Sequence, residues 1–207
     1  GANVFQYDYT DNAGENDEWW LIPIDQVCLQ IGIYSSSYEA PSALIGGHSF
    51  LSFKNISSFI IPIGPILLQP NEEMTLTKWW QKNSNDSTIH AGIWYNRDTA
   101  ISNTSLSRFI YITENITGCA LVNIENYIKT HDSYHLINNN CCTLSTDIWN
   151  EVCVTQLGNF NPDMPAALMY SIAAHDGQTG KTFAHNPTKM GYMDNGNFII
   201  SPQPKEP

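Results

Sequence analysis

The sequence predicts an α+β domain, and three observations carry that prediction. Apolar residues alternate with a period of two at Val27–Ile33 and again around His48, which is strand spacing. Apolar residues recur at positions 121, 124, 127 and 128, which is helical spacing. Thirteen Gly and eleven Pro, among many Asn and Ser, supply the turns of a loop-rich, strand-dominated chain. With 42% hydrophobic and 12% aromatic residues, 207 residues can bury a real core. No repeat or linker divides them, so one domain over 1–207 is expected, with an N-terminal arm at 1–18 and a loop-rich C-terminal segment at 175–207.

The net charge of −11, from nine basic and twenty acidic residues, argues against nucleic acid or an anionic membrane surface as a general partner. No apolar run is long enough for a transmembrane helix. No signal peptide is visible at the Gly1-Ala2-Asn3 opening. A surface of uncharged polar residues, with only 14% charged, suits a secreted or extracellular protein. Sequons at Asn55, Asn85, Asn103 and Asn115 are what so Asn-rich a chain yields by chance, and they carry no weight.

Taken in order, Trp19–Tyr34 reads as one strand and Ser35–Ser42 as a loop, with Pro41 forcing extended backbone before it. Ala43–Lys54 is a strand introduced by Gly46-Gly47, with His48, Phe50 and Ser52 on one face. The glycines would let another backbone or a substrate come close to His48. Ser58–Leu68 and Glu73–Trp79 are strands around a Gln69–Glu72 turn, and Pro62 and Pro65 mark an edge or a break. Strands follow at His90–Asn96 and Ser107–Thr113, around a polar loop at Ser84–Ser87. A helix at Ala120–Lys129 ends near His131. Asn159–Pro165 is a turn, Pro165–Ala174 a short helix, 176–195 loop, and Phe198–Ile200 a final strand.

The chemistry concentrates in Tyr134–Val152: a short strand, an Asn-rich turn, and a helix beginning near Asn140 with Cys141 and Cys142 in its first turn. A thiol there feels the positive end of the helix dipole, which favours the nucleophilic thiolate. On this helix Cys141, Leu144, Ile148 and Val152 share one side, while Cys142 falls with Trp149 and Cys153. The side that packs on the sheet is where a thiol meets a sheet-borne base, so Cys141 is the expected nucleophile. The five cysteines form no Cys-X-X-Cys pair, so a zinc site is not expected, and no other metal or cofactor is expected either. Cys28, Cys119 and Cys153 sit in apolar contexts and read as buried structural thiols.

A catalytic thiol needs a base and a polar group to fix that base. His48, on a strand after two glycines, is either a satisfied core histidine or the base. His90, at a strand start, is either the orienting group or a solvent-facing residue. His131 fits a helix-end cation, His135 faces an unknown side, and His175 and His185 carry no signal. Asn139 and Asn140 are expected to fix the turn, with Asn140 and Cys142 supporting the oxyanion or the turn at the helix start.

Tyr134-His-Leu-Ile-Asn-Asn-Asn-Cys-Cys-Thr-Leu-Ser145 resembles the Y-x-L-x-x-N-N-C-T-x-F-A pattern of circularly permuted papain-like proteins, the group of the NlpC-like cell-wall amidases and the lecithin retinol acyltransferases. Gly47-His-Ser-Phe-Leu-Ser-Phe-Lys-Asn55, Gln69-Pro-Asn-Glu-Glu-Met-Thr-Leu76 and His90-Ala-Gly-Ile-Trp-Tyr-Asn96 look like a set of uncharacterised secreted bacterial members. Leu144 and Ser145 depart from the Phe and Ala of the pattern, and Cys142 stands where a small polar residue is usual. The resemblance implies a permuted papain-like fold, an antiparallel sheet packed against a helix with the nucleophile at its start. It implies Cys141 as nucleophile, His48 as base, and a polar third residue on a strand after His48.

The implied activity is that of a cysteine amidase or peptidase working through a thioester, on cell-wall peptide or another amide. Lipid acyl transfer or ester hydrolysis is the alternative within the same chemistry. A non-catalytic binding or effector module is the alternative outside it. For the last, Trp19-Trp20, Trp79-Trp80 and Trp94-Tyr95 are either a glycan or peptide surface or part of the core.

Overall fold

A computed structural model describes residues 4–9, 18–37, 47–83, 85, 88–101, 103–158, 164–185 and 187–202. The expected loop at 38–42, the turn at 159–163, Gly46 and much of the 84–87 loop lie outside the described residues. The chain is α+β, built on a large antiparallel sheet. Its strands are β1 (Val4–Tyr9), β2 (Glu18–Pro23), β3 (Val27–Ser36), β4 (His48–Asn55), β5 (Ile61–Ile63), β6 (Ile66–Leu68), β7 (Glu73–Lys82), β8 (Ile89–Tyr95), β9 (Ile110–Thr117), β10 (Gly191–Asp194) and β11 (Asn197–Ile200). The helices are α1 (Asn103–Leu106), α2 (Ala120–Thr130), α3 (Cys141–Val152) and α4 (Pro165–Ala173). No helix among the described residues is long and apolar enough to cross a membrane.

Seven strands form the main sheet in the order β11-β10-β8-β7-β4-β3-β9, and every neighbouring pair runs antiparallel. β4 therefore lies near its centre, paired with β3 from Asn55↔Leu29 to His48↔Ser36. Its side chains alternate between two different environments. Leu51 and Phe53 enter the main core, with Ile31, Ile33 and Leu76 from neighbouring strands and Ile124, Leu144, Ile148 and Leu168 from the helices. Phe50 points the other way, into a smaller aromatic cluster with Tyr34, Leu106 and Phe109. There Phe50 stacks on Tyr34 with ring centroids 4.7 Å apart.

Several sequence expectations change in detail. The single strand expected over Trp19–Tyr34 is two, because the chain turns between Pro23 and Val27. β2 pairs with β1, so part of the N-terminal arm is a two-stranded ribbon. Ser58–Leu68 contains a short hairpin, β5–β6, whose turn at Gly64-Pro65 puts Gly64 at φ 52°, a left-handed geometry natural to glycine. The strand expected over 107–113 begins only at Ile110, and the loop expected over 176–195 contains β10, paired with β11. α2 runs as expected and buries Leu121, Ile124 and Ile128. α4 has Pro165 in its first turn, where the missing N–H breaks no helical bond.

Gly47 has φ 137°, and a Cβ there would lie 2.3 Å from the Ser36 carbonyl and 2.8 Å from the Pro165 side chain. The backbone therefore enters β4 through a gap that only glycine fits, and the next residue is His48. The crowding comes from the end of β3 and the start of α4. Ser35 Oγ ties those two elements together by donating to the Pro165 carbonyl at 2.6 Å.

Candidate active site

The site forms where the start of α3 meets the first two residues of β4. Asn140 is the helix cap, in extended geometry at φ −119°, rather than the left-handed geometry that its residue type also tolerates. Its side-chain oxygen accepts from the amides of Cys142 at 2.8 Å and Thr143 at 3.2 Å. Its own amide donates to Thr143 Oγ1 at 3.4 Å, completing a capping box. A helix start leaves four amides without intrahelical partners. Asn140 and Thr143 engage three of them; among the described residues the fourth, that of Cys141, is left for another acceptor.

Cys141 is 4% exposed and His48 1%. Burial would raise the thiol pKa, but a hydrogen bond and charge from His48, with the Ser49 amide and hydroxyl, outweigh it, and the pKa is lowered. Burial would likewise lower the His48 pKa. The charge and hydrogen bond of Asp98, helped by Cys141, reverse that and raise it to about 9. Both shifts favour a thiolate beside an imidazolium.

His48 Nε2 sits 2.6 Å from Asp98 Oδ1, and both side chains are essentially excluded from solvent. Nδ1 is thus the nitrogen left for the thiol. It makes no other hydrogen bond, and neither does the Ser49 hydroxyl. Trp79 meets the His48 ring edge-on at 4.8 Å, with the Phe50 and Phe109 rings at 5.8 and 6.2 Å.

Asp98 is held by its surroundings. Asn96 ends β8 in left-handed geometry (φ 58°), which turns the chain back into a short 3₁₀ turn at Arg97–Ala100. The Asn96 side chain accepts the Thr75 amide at 3.1 Å and donates to the Lys189 carbonyl at 2.9 Å, pinning that corner. Arg97 donates to Asp98 Oδ1 at 2.9 Å and to Gln81 Oε1 at 2.8 Å, with its guanidinium 4.5 Å above the Trp79 ring. Two donors therefore converge on one carboxylate oxygen. Tyr134 shares this neighbourhood. Burial and the negative charge of Cys141 push its phenol up to about 12, against the opposing pull of Arg97.

Two of the expected site residues belong elsewhere. His90 does not orient His48. It stacks on Tyr192 at 4.2 Å and faces Asp132 at 3.5 Å, beside Trp94. The position next to His48 is filled by Asp98, just past the end of β8, near whose start His90 lies. Cys142 belongs to the turn and not to an oxyanion site. Its amide is used by Asn140, and its thiol is fully buried in the main core, 3.8 Å from Thr146 Oγ1. Cys119, expected to be buried, is exposed at the start of α2. Comparison with family models, curated proteins and solved structures returned no match.

Proposed function

We propose that this protein is a cysteine-dependent amidase or peptidase, with Cys141 as nucleophile, His48 as base and then acid, and Asp98 as the group that orients His48. One observation carries the reading: a buried thiol at a helix start, its pKa lowered by a histidine that a buried carboxylate holds by the opposite ring nitrogen. That is the arrangement nucleophilic catalysis requires. A strand-borne His48 ahead of a helix-borne Cys141, on an antiparallel sheet, supports the finer assignment to a permuted papain-like fold.

In the reaction proposed, the Cys141 thiolate attacks the amide carbon, forming a C–S bond. The oxyanion is received by the uncommitted Cys141 amide, a donor of the kind worth about 3 kcal/mol of transition-state stabilisation. His48 gives the proton from Nδ1 to the leaving amine as the C–N bond breaks. Water, deprotonated by His48, then cleaves the thioester and releases the carboxylate. Cell-wall peptide is the leading substrate class. A second reading, lipid acyl transfer or ester hydrolysis, draws on Leu136 and Ile137, whose side chains are 53% and 56% exposed on the loop leading into Cys141.

Exposed Cys119 would label with any thiol reagent, so the test uses a Cys119→Ser background. Iodoacetamide at neutral pH should modify Cys141 first, and His48→Ala should slow that reaction about a hundredfold. Equal, slow labelling of the four remaining thiols overturns the catalytic reading. Release of amine or alcohol from peptidoglycan fragments, peptides and acyl lipids then separates the substrate classes.

A further inference from the structure

Lys78 is a lysine with no exposed surface, on β7, on the face of the sheet opposite Trp79. Buried lysines are uncommon, because the ammonium loses its hydration. Burial lowers this one's pKa to about 8, against the opposing influence of Asp147 and Asp132. Three groups surround it: Tyr127 of α2, whose hydroxyl is 3.5 Å from Nζ and whose ring centroid is 5.2 Å away; Asp147 of α3, which accepts from that hydroxyl at 3.2 Å; and Asp132 after α2.

A pKa below that of the unfolded chain means that the charged form costs folding stability. The cost is full below about pH 8 and is relieved as the pH rises toward the ordinary value of 10.5. An apolar side chain of similar length would avoid it, so the fold itself does not call for a lysine.

What the ammonium holds is Asn139. Lys78 Nζ donates to Asn139 Oδ1, while Asn139 Nδ2 donates to the Ser133 carbonyl at 3.1 Å and hydroxyl at 2.8 Å. Asn139 also exchanges backbone hydrogen bonds with His135, at 2.7 and 3.0 Å, closing the turn. The tip between them, Leu136 to Asn138, is exposed and has little packing of its own. Asn139 is followed directly by the Asn140 cap and then by Cys141.

Building on the catalytic reading above, we propose that Lys78 is a positioning residue: it tethers Asn139 to the sheet and so fixes the Asn140 cap, the Cys141 thiol and the Cys141 amide against His48. Stability and site geometry then move in opposite directions when it is replaced.

The experiment compares Lys78→Met, Lys78→Arg and Asn139→Ala in the Cys119→Ser background by thermal melting, Cys141 alkylation and amide hydrogen exchange over 139–143. Lys78→Met should melt at or above the parent temperature, yet alkylate at Cys141 about tenfold more slowly, since small displacements of a reacting group cost about that much or more. Exchange over 139–143 should rise while the β4 amides stay protected, and Lys78→Arg should restore part of both. Parental exchange in Lys78→Met overturns the tether. If Lys78→Met does not fold, a purely structural role is indicated and the tether fails, unless Asn139→Ala folds and reproduces the loss. A parent whose Cys141 is no more reactive than its other buried thiols overturns the catalytic reading alone, and exchange still decides the tether.

Discussion

α3 carries a thiol at each end, and the two are oppositely disposed although both are buried, Cys141 at 4% exposure and Cys153 at 7%. Burial raises the pKa of each. At the first turn, His48 and the Ser49 amide overcome burial and lower the Cys141 pKa. At the last, Glu114 adds to burial, and the Cys153 pKa is pushed far above the ordinary thiol range. Glu114 is fixed there because its carboxylate accepts the amides of Val154 and Thr155, each at 2.9 Å. The helix dipole acts in the same sense, favouring an anion at the start and opposing one at the end. Position on the helix and the neighbouring charge set the two thiols apart: burial works against the shift at Cys141 and with it at Cys153.

Removing the charge behind His48 should erase that contrast most completely. In Asp98→Asn the His48 pKa falls from about 9, the imidazolium is lost at neutral pH, and the thiolate beside it is lost with it. Alkylation of Cys141 at pH 7 should fall about a hundredfold, within the range usual for losing a positioned acid–base group. A stability measurement gives a second check with a defined sign. The folded pKa of His48 lies above its ordinary 6.5, so the protonated ring contributes stability fully below about pH 6.5, and that contribution is lost as the pH rises through about 9. Urea titrations across this window should show a decline in stability attributable to His48, and the decline should be shallower in Asp98→Asn. Parental alkylation and slope in that variant would remove Asp98 from the site.

The capped, thiol-bearing start of α3 was legible in the sequence because its signals are local: an Asn cap, a thiol one residue later, apolar residues at helical spacing. Helix sides alone do not separate Cys141 from Cys142, since Cys142 lies deeper in the core than its neighbour. What places Cys141 apart is its contact with the first residues of β4, and a helical wheel contains no sheet. His48 was legible through the glycine before it. Asp98 was not, because nothing local marks it; it reaches His48 only after Asn96 adopts a left-handed turn at the end of β8 and reverses the chain. An Asn followed closely by an Asp at a strand end was the available cue. His90 lies near the start of that strand, whereas Asp98 lies beyond its other end. The β10–β11 hairpin was hidden for another reason: its strands are four residues each, too short for alternation to register.

A smaller perturbation tests whether the cap matters as a hydrogen-bonding device. Asn140→Ala removes the acceptor for two amides and should cost about 1 kcal/mol, the usual worth of such a cap. For a chain of this size that lowers the melting temperature by about 2–4 °C. Asn140→Asp keeps the acceptor and adds a negative charge at the positive end of the helix, so it should hold the melting temperature. The same charge lies next to the thiolate and should raise the Cys141 pKa, which thiolate absorbance followed against pH would detect. Equal melting of Asn140→Ala and the parent would mean that the Thr143 side of the box suffices.

The least disruptive change is at the far end of α3. If neighbouring charge rather than burial selects the nucleophile, Cys153 contributes nothing to Cys141, and Cys153→Ser should leave Cys141 alkylation within about twofold of the parent. The two sites are a helix length apart and share no partner, and effects at such separations add rather than couple. Stability should fall by about 1 kcal/mol, because a hydroxyl replaces a thiol in a largely apolar pocket without a matched partner. The sharper observation is made on the unmutated Cys153. Held protonated by burial and Glu114, it should resist iodoacetamide at neutral pH for as long as the protein is folded and react only after denaturation. Labelling of folded Cys153 at a rate near that of Cys141 would show that the carboxylate and the helix end do not govern these thiols, and the contrast between the two ends of α3 would fall with it.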